Sequence, residues 1–225
     1  MSATGHAHVQ PLDQLGPKLE STHMTRHTDD ELTIKAACLQ AAREAIAEEG
    51  VEKLSLREVA RRIGVSHQAP YKHFPSRDHL LAEVIRLCFQ DFSAYLDNRE
   101  LGPDPRQNLD NLGTRYLEFA LDRPLEYRLM FNTPWPAPAE EVGLVRDAQH
   151  TLDILRRNLK DIYGDGKGTR VKIDLDAMMI WSVMHGLASI LQSNVVQHLD
   201  MPASTKAKVP AHIFDRVRAI IGQQM

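Results

Sequence analysis

The sequence predicts an all-α protein in which an N-terminal three-helix unit built around a helix-turn-helix precedes a larger helical domain. Three observations carry this. Apolar residues recur at spacings of three and four through most of the chain, as they do on one face of an α-helix. Capping-box patterns, a hydroxyl followed three positions later by a carboxylate, mark helix starts at Thr28–Glu31 and Ser55–Glu58. No run alternates apolar and polar residues long enough to require a strand, and no repeat or glycine-rich phosphate loop is present.

Residues 1–27 hold Pro11, Gly16, Pro17 and the histidines His6, His8, His23 and His27 without an apolar period, and read as a flexible extension. The pair His6 and His8 lacks further ligands nearby, so no metal site is expected there. Ile34, Cys38, Ala41 and Ala45 lay one stripe along a first helix that starts at Thr28 and ends near Gly50. Ser55 caps a two-turn helix with Leu56, Val59, Ala60 and Ile63 on one face and Arg57 and Arg61 on the other, stopped by Gly64. Ser66 caps a third short helix through Phe74. Pro70 would be its fourth residue, where a proline removes only one terminal hydrogen bond. Ser76 caps a helix to about Leu96, which connects the expected DNA-facing domain, residues 28–76, to the domain at 77–225. Helices follow near 106–122, 124–131, 138–162, 174–197 and 210–222, separated by Pro124, the Pro134–Pro138 cluster, Gly164–Gly168 and Pro202. The total is about nine.

With 225 residues, 43% of them hydrophobic, the chain can bury a sizeable core. It has no apolar stretch of membrane-spanning length and no secretion-signal order, so a cytoplasmic protein without a membrane partner is expected. Cys38 and Cys88 fit no disulfide or zinc spacing; they read as small core residues, with a redox pair as the alternative.

The net charge is -3, yet six basic residues against Glu58 alone leave Lys53–Arg77 at +5 and the remainder at -8. A cationic segment on an acidic protein is the footprint of a phosphate-facing surface, or else a solvated helix face. The turn Gly64-Val65-Ser66 between two short helices would let the later helix enter a major groove, though such turns also join helical hairpins in a bundle core; the combination of caps, turn, +5 charge and polar leading edge favours DNA binding. Arg57, Arg61 and Arg77 would meet phosphates, Ser55 and Ser66 would present helix N-termini, and Tyr71, Lys72 and His73 add donors. At the leading edge His67, Gln68 and Ala69 would face bases, Gln68 as a bidentate partner of adenine.

The stretch Ile34–Leu96, with Leu56-Arg57-Glu58-Val59-Ala60, Gly64-Val65-Ser66, Ala69-Pro70-Tyr71-Lys72-His73-Phe74 and Arg77-Asp78-His79-Leu80-Leu81, closely resembles the DNA-binding domain of the tetracycline-repressor-like (TetR) family. The resemblance implies phosphate contacts at Tyr71, His73 and Arg77, the last standing where lysine is frequent, and base contacts from residues 66–70. Downstream, Arg115–Leu121, Pro124–Phe131 and Trp181-Ser182-Val183-Met184-His185-Gly186 resemble the family's C-terminal variant named for a Trp-His-Gly signature. That implies a sensor domain without saying what is sensed.

The C-terminal helices carry Phe89, Phe92, Tyr116, Phe119, Met130, Phe131, Trp135, Leu155, Trp181 and Met184, which suit an apolar pocket for a hydrophobic or aromatic small molecule. His185 reads first as a satisfied core histidine and second as a ligand-bonding group. No cofactor or metal is expected. Gly186, Ser189 and Ile190, with Ile213, Val217 and Ile220, suggest that helices near 174–197 and 210–222 form a two-fold interface. A homodimer would hold two reading heads about 34–36 Å apart, one turn of DNA, and so recognise a palindromic operator. The expectation is a ligand-released repressor. The alternatives are a regulator without small-molecule input and a helical enzyme, for which no Gly-x-Ser-x-Gly or His-Glu-x-x-His motif is present.

Overall fold

A computed structural model describes residues 21–193 and 195–222, with side chains described from 33 to 221 except 194. Its architecture is all-α: α1 (Ser21–Glu49), α2 (Leu56–Arg62), α3 (Arg77–Asp97), α4 (Pro105–Asp122), α5 (Pro124–Phe131), α6 (Leu144–Tyr163), α7 (Thr169–Gln192), α8 (Val195–His198), α9 (Ala203–Lys206) and α10 (Val209–Gly222). Single 3₁₀ turns occur at Val51–Lys53, Pro70–Lys72 and Ala137–Ala139, and there is no strand among the described residues. No described helix is long and apolar enough to cross a membrane.

The helix α3 organises the molecule. Leu80, Leu81, Val84, Ile85, Cys88, Phe89, Phe92 and Leu96 are all buried, so it presents apolar surface on more than one side and packs against α1, α4, α5 and α6. One contiguous core therefore runs from Cys38 in α1 to Ile221 in α10, with no apolar break at residue 76. Both cysteines are free and buried within it. Burial raises the Cys88 thiol to about 12, the inert end of thiol chemistry.

Several starts and stops follow the expected caps. Glu58 N donates to Ser55 Oγ at 3.2 Å, His79 N to Ser76 Oγ at 3.3 Å, and Gly64 ends the α2 turn at φ 70°. Others differ. The first helix begins at Ser21, so Thr28–Glu31 lie within it, and only residues 1–20 of the expected extension, with His6 and His8, fall outside the described residues. The 138–162 helix begins instead at Leu144, after Gly143 turns the chain at φ 77°. The 174–197 helix starts five residues earlier, behind Gly168 at φ 85°, and ends at Gln192, with α8 as a separate turn.

The largest difference is in the third expected helix. Residues 67–69 form a turn and Pro70–Lys72 a 3₁₀ turn, not a continuous α-helix. Pro70 has no N–H for the Ser66 carbonyl, which accepts instead from Ala69 N at 3.0 Å; Tyr71, Lys72 and His73 then also bond three residues back. The missing donor tightens the pitch of the whole segment, a larger consequence than the loss of one terminal bond.

Candidate functional site

The segment after Gly64 projects from a head whose interior is filled by Leu54, Leu56, Val59 and Phe74. In a 3₁₀ turn residues three apart eclipse, so Gln68 stands over Tyr71 and Ala69 over Lys72. Ser66, His67, Gln68, Tyr71 and Lys72 are exposed, Ala69 and His73 half-buried, and Pro70 buried with Phe74. The tight pitch thus turns one small face to the core and leaves a polar ridge outside.

The basic residues of the head divide into two groups. Arg57 and Lys72 are exposed and have no partner among the described residues. Arg61 is also exposed, but both arms of its guanidinium bond Glu58, at 2.8 and 2.7 Å. Arg62 is a brace: it bonds Glu48, Glu49 and Glu58 at 2.7–2.8 Å and ties α2 to the end of α1. Arg61 first and Arg62 second hold the Glu58 carboxyl at about 2. Arg77 donates to the Val51 and Leu54 carbonyls at 2.7 and 3.2 Å and pairs with Asp78 at 3.0 Å, so it fastens the 3₁₀ turn at Val51–Lys53 to the start of α3. The local +5 charge therefore overstates the free cations.

A second feature lies in the C-terminal half. A cavity of about 370 Å³, open on one side, lies between α3, α4, α5, α6, α7, α10 and the segment after α5. Of the residues expected there, Phe89, Phe92, Tyr116, Phe131, Trp135, Leu155, Trp181 and Met184 line it. Phe119, Met130 and His185 do not. Phe119 packs behind Phe92 with ring centres 4.7 Å apart, and Met130 is in the closed core. His185 sits behind the wall, its Nδ1 2.6 Å from Tyr127 Oη, which is in turn 2.8 Å from Tyr116 Oη. Burial lowers the His185 pKa and raises Tyr116 to about 12 and Tyr127 further, so burial favours the neutral form of each group.

Other lining residues escaped the sequence reading, among them Asp110, Gly113, Val145, Ala148, Leu152 and Phe214. The signal was present as plain spacing: Leu109, Leu112, Gly113 and Tyr116 on α4, and Val145, Ala148, Leu152 and Leu155 on α6, are helical stripes of small and aliphatic residues. Gly113 has a specific reason. A Cβ there would overlap Phe214 Cε1, so glycine lets the Phe214 ring lie directly on α4.

The residues expected at an interface split as well. Gly186, Ser189 and Ile190 lie on an outward stripe of α7 that also carries exposed Val171, Leu175 and Met178, and a Cβ on Gly186 would meet nothing within 4 Å. On α10, Ile220 is exposed and Ile213 half-buried, whereas Val217 is 8% exposed and lines the cavity. Among the described residues no cluster of three potential metal ligands occurs.

Residues 39–84 match the family model of bacterial regulatory proteins, tetR family, and residues 109–215 match a tetracyclin repressor-like C-terminal domain, described without a Trp-His-Gly designation. No curated protein matches. Among solved structures, a Rhodococcus sp. RHA1 protein of unknown function is 25% identical, with 81% of this chain and 94% of that one covered and a TM-score of 0.64. A regulatory protein in the tetR family from Rhodococcus RHA1 is 18% identical over 84% and 97% of the two chains, with a TM-score of 0.57. A TetR variant from Acinetobacter baumannii AYE, solved in complex with minocycline, is 18% identical over 84% and 94%, with a TM-score of 0.52.

Proposed function

Because the chain belongs to the tetR family of bacterial transcription regulators, we propose that it is a homodimeric repressor, released from a palindromic operator when a small apolar or aromatic molecule fills the cavity. The observation that carries this reading is the coexistence of an exposed polar ridge at residues 66–72 with a cavity of about 370 Å³ in the same continuous core. A void of that size among aromatic and aliphatic side chains forfeits dispersion contacts, which a ligand would restore. The minocycline complex of the A. baumannii protein supports a small molecule as the input.

In this reading residues 28–76 act as the DNA-facing domain. Gln68, with His67 and Ala69, reads base edges; Ser55, Arg57, Arg61, Ser66, Tyr71, Lys72 and His73 position the duplex through its phosphates. Arg77 contributes by holding the turn at Val51–Lys53. The apolar stripe of α7 from Val171 to Ile190, with Ile213 and Ile220 of α10, packs against its two-fold mate, and Gly186 lets the helices approach closely. Such a dimer spaces the heads for successive major grooves, and a ligand that favours a different spacing shifts the population off DNA.

The test is fluorescence anisotropy with DNA from upstream of the protein's own gene. Gln68→Ala should weaken specific binding by about 1–3 kcal/mol while leaving non-specific binding unchanged. Tyr71→Phe should weaken both. If neither substitution changes specific affinity, the reading segment has been assigned wrongly.

A further inference from the structure

The cavity's wall is mostly apolar. Its interior polar atoms are already occupied: Tyr116 Oη bonds Tyr127, and Thr151 Oγ1 lies 3.1 Å from Ser93 Oγ and 3.2 Å from the Asp147 carbonyl. Gln149 is exposed at the rim. Asp110 of α4 is the one formally charged residue lining the cavity among the described residues. Its Oδ2 lies 3.0 Å from Arg218 Nε of α10, and that guanidinium is shared with Asp215 at 3.4 Å. Arg218 is half-exposed and, like Asp215, does not line the cavity, so one guanidinium is shared between two carboxylates, and of these three residues only Asp110 also lines the cavity.

Resting on the reading of this cavity as the effector site, we propose that its ligand is an apolar or aromatic amine, whose ammonium takes Asp110 from Arg218. Aromatic rings of Phe92, Tyr116, Phe131 and Trp181 surround the space into which the apolar body would fit, and their faces attract a cation. An organic acid would meet Asp110 instead, with no lining cation to pair with. A neutral molecule would leave the Asp110–Arg218 pair intact.

The same exchange identifies how binding reaches the rest of the protein. The helix α10 packs mainly on α4 and α7, and Phe214 on Gly113 and Arg218 on Asp110 are two of its fastenings to α4. An ammonium on Asp110 removes the second while the ligand's body presses on Phe214 and Val217. Three residues on from Val217, α10 carries the exposed Ile220. A ligand cation would thus loosen the helix that also faces outward.

The experiment is isothermal calorimetry of the full chain with naphthylethylamine, naphthylethanol and naphthylacetic acid, one ring isomer throughout. The amine should bind about tenfold more tightly than the alcohol, and the acid most weakly. Asp110→Asn should abolish the amine's advantage while leaving the alcohol's affinity unchanged, which also shows that the variant is folded. Arg218→Ala should strengthen amine binding by removing the competitor. An alcohol that binds wild-type protein as tightly as the amine overturns the proposal without recourse to any variant. So does an amine advantage that survives Asp110→Asn. If the alcohol or acid binds best and releases DNA, the effector cavity stands and the charge assignment alone falls; if none of the three binds, both fall.

Discussion

The head and the C-terminal half use large apolar side chains in opposite ways. In the head, Phe74 is 2% exposed and fills the space between α1, α2 and α3, so stability is concentrated in a few well-packed residues. In the C-terminal half, Phe89, Phe131, Trp135 and Trp181 stand around a void. The rings there touch one another edge-on, as Phe89 does with Phe131 at 5.6 Å and with Trp135 at 5.7 Å, and they hold the void open by propping each other. The head is shaped to present side chains outward at fixed positions; the other half is shaped to leave an interior surface uncovered.

That contrast predicts unequal penalties for removing an aromatic ring. Phe74→Ala should destabilise by about 3–5 kcal/mol, because the hole left in a packed core cannot close. Trp135→Ala, at a residue 41% exposed, should cost about 1 kcal/mol and enlarge the cavity. Urea unfolding of both variants measures the difference. Equal losses would mean that the cavity wall is packed as tightly as the head.

A smaller effect is expected from the added methyl of Gly113→Ala. The Cβ would strike the Phe214 ring, so the ring must shift away from α4 and strain its seat on α10, at about 1–3 kcal/mol for an overpacked contact. The side chain displaced lines the cavity, so hydrogen exchange should quicken in α10 and leave α2 unchanged. Faster exchange in α2 as well would show that the two regions do not respond separately.

The two regions also differed in how much the sequence revealed. Ser55, Ser76 and Gly64 announce the head by local rules, and its exposed residues are polar for no packing reason, so His67, Gln68 and Tyr71 could be singled out by type and order. Pro70 was visible too, but the change of pitch it causes depends on where the Ser66 carbonyl finds its donor. Arg62 and Arg77 looked like their exposed neighbours because charge in a sequence carries no information about partners that α1 and the Val51–Lys53 turn bring to them. In the cavity, aromatic and long apolar type picked out eight lining residues, six of them aromatic, together with Phe119, Met130 and His185, which stand outside the lining. Aliphatic stripes on α4 and α6 look alike whether they face a core or a void; only the missing neighbour distinguishes them.

The smallest predicted effect concerns the ionic frame of the head, where two arginines share Glu58, in contrast to the single arginine, Arg218, that two carboxylates share beside the cavity. Glu58 accepts from Arg61 and Arg62, and its carboxyl is lowered from 4.5 to about 2 on folding. A depressed carboxylate stabilises the folded state fully above its unfolded value, and the contribution disappears as the pH falls from about 4.5 through about 2. Glu58→Gln abolishes that titration while retaining the side chain's length. The thermal midpoints of wild type and Glu58→Gln should therefore differ most near neutral pH and converge toward pH 2, with wild type the more stable. High salt should narrow the gap, since Arg61 is exposed to solvent. A gap that stayed constant between pH 7 and pH 3 would show that the amide disturbs the start of α2 sterically, and that the charge on Glu58 contributes nothing to bracing α2 against α1.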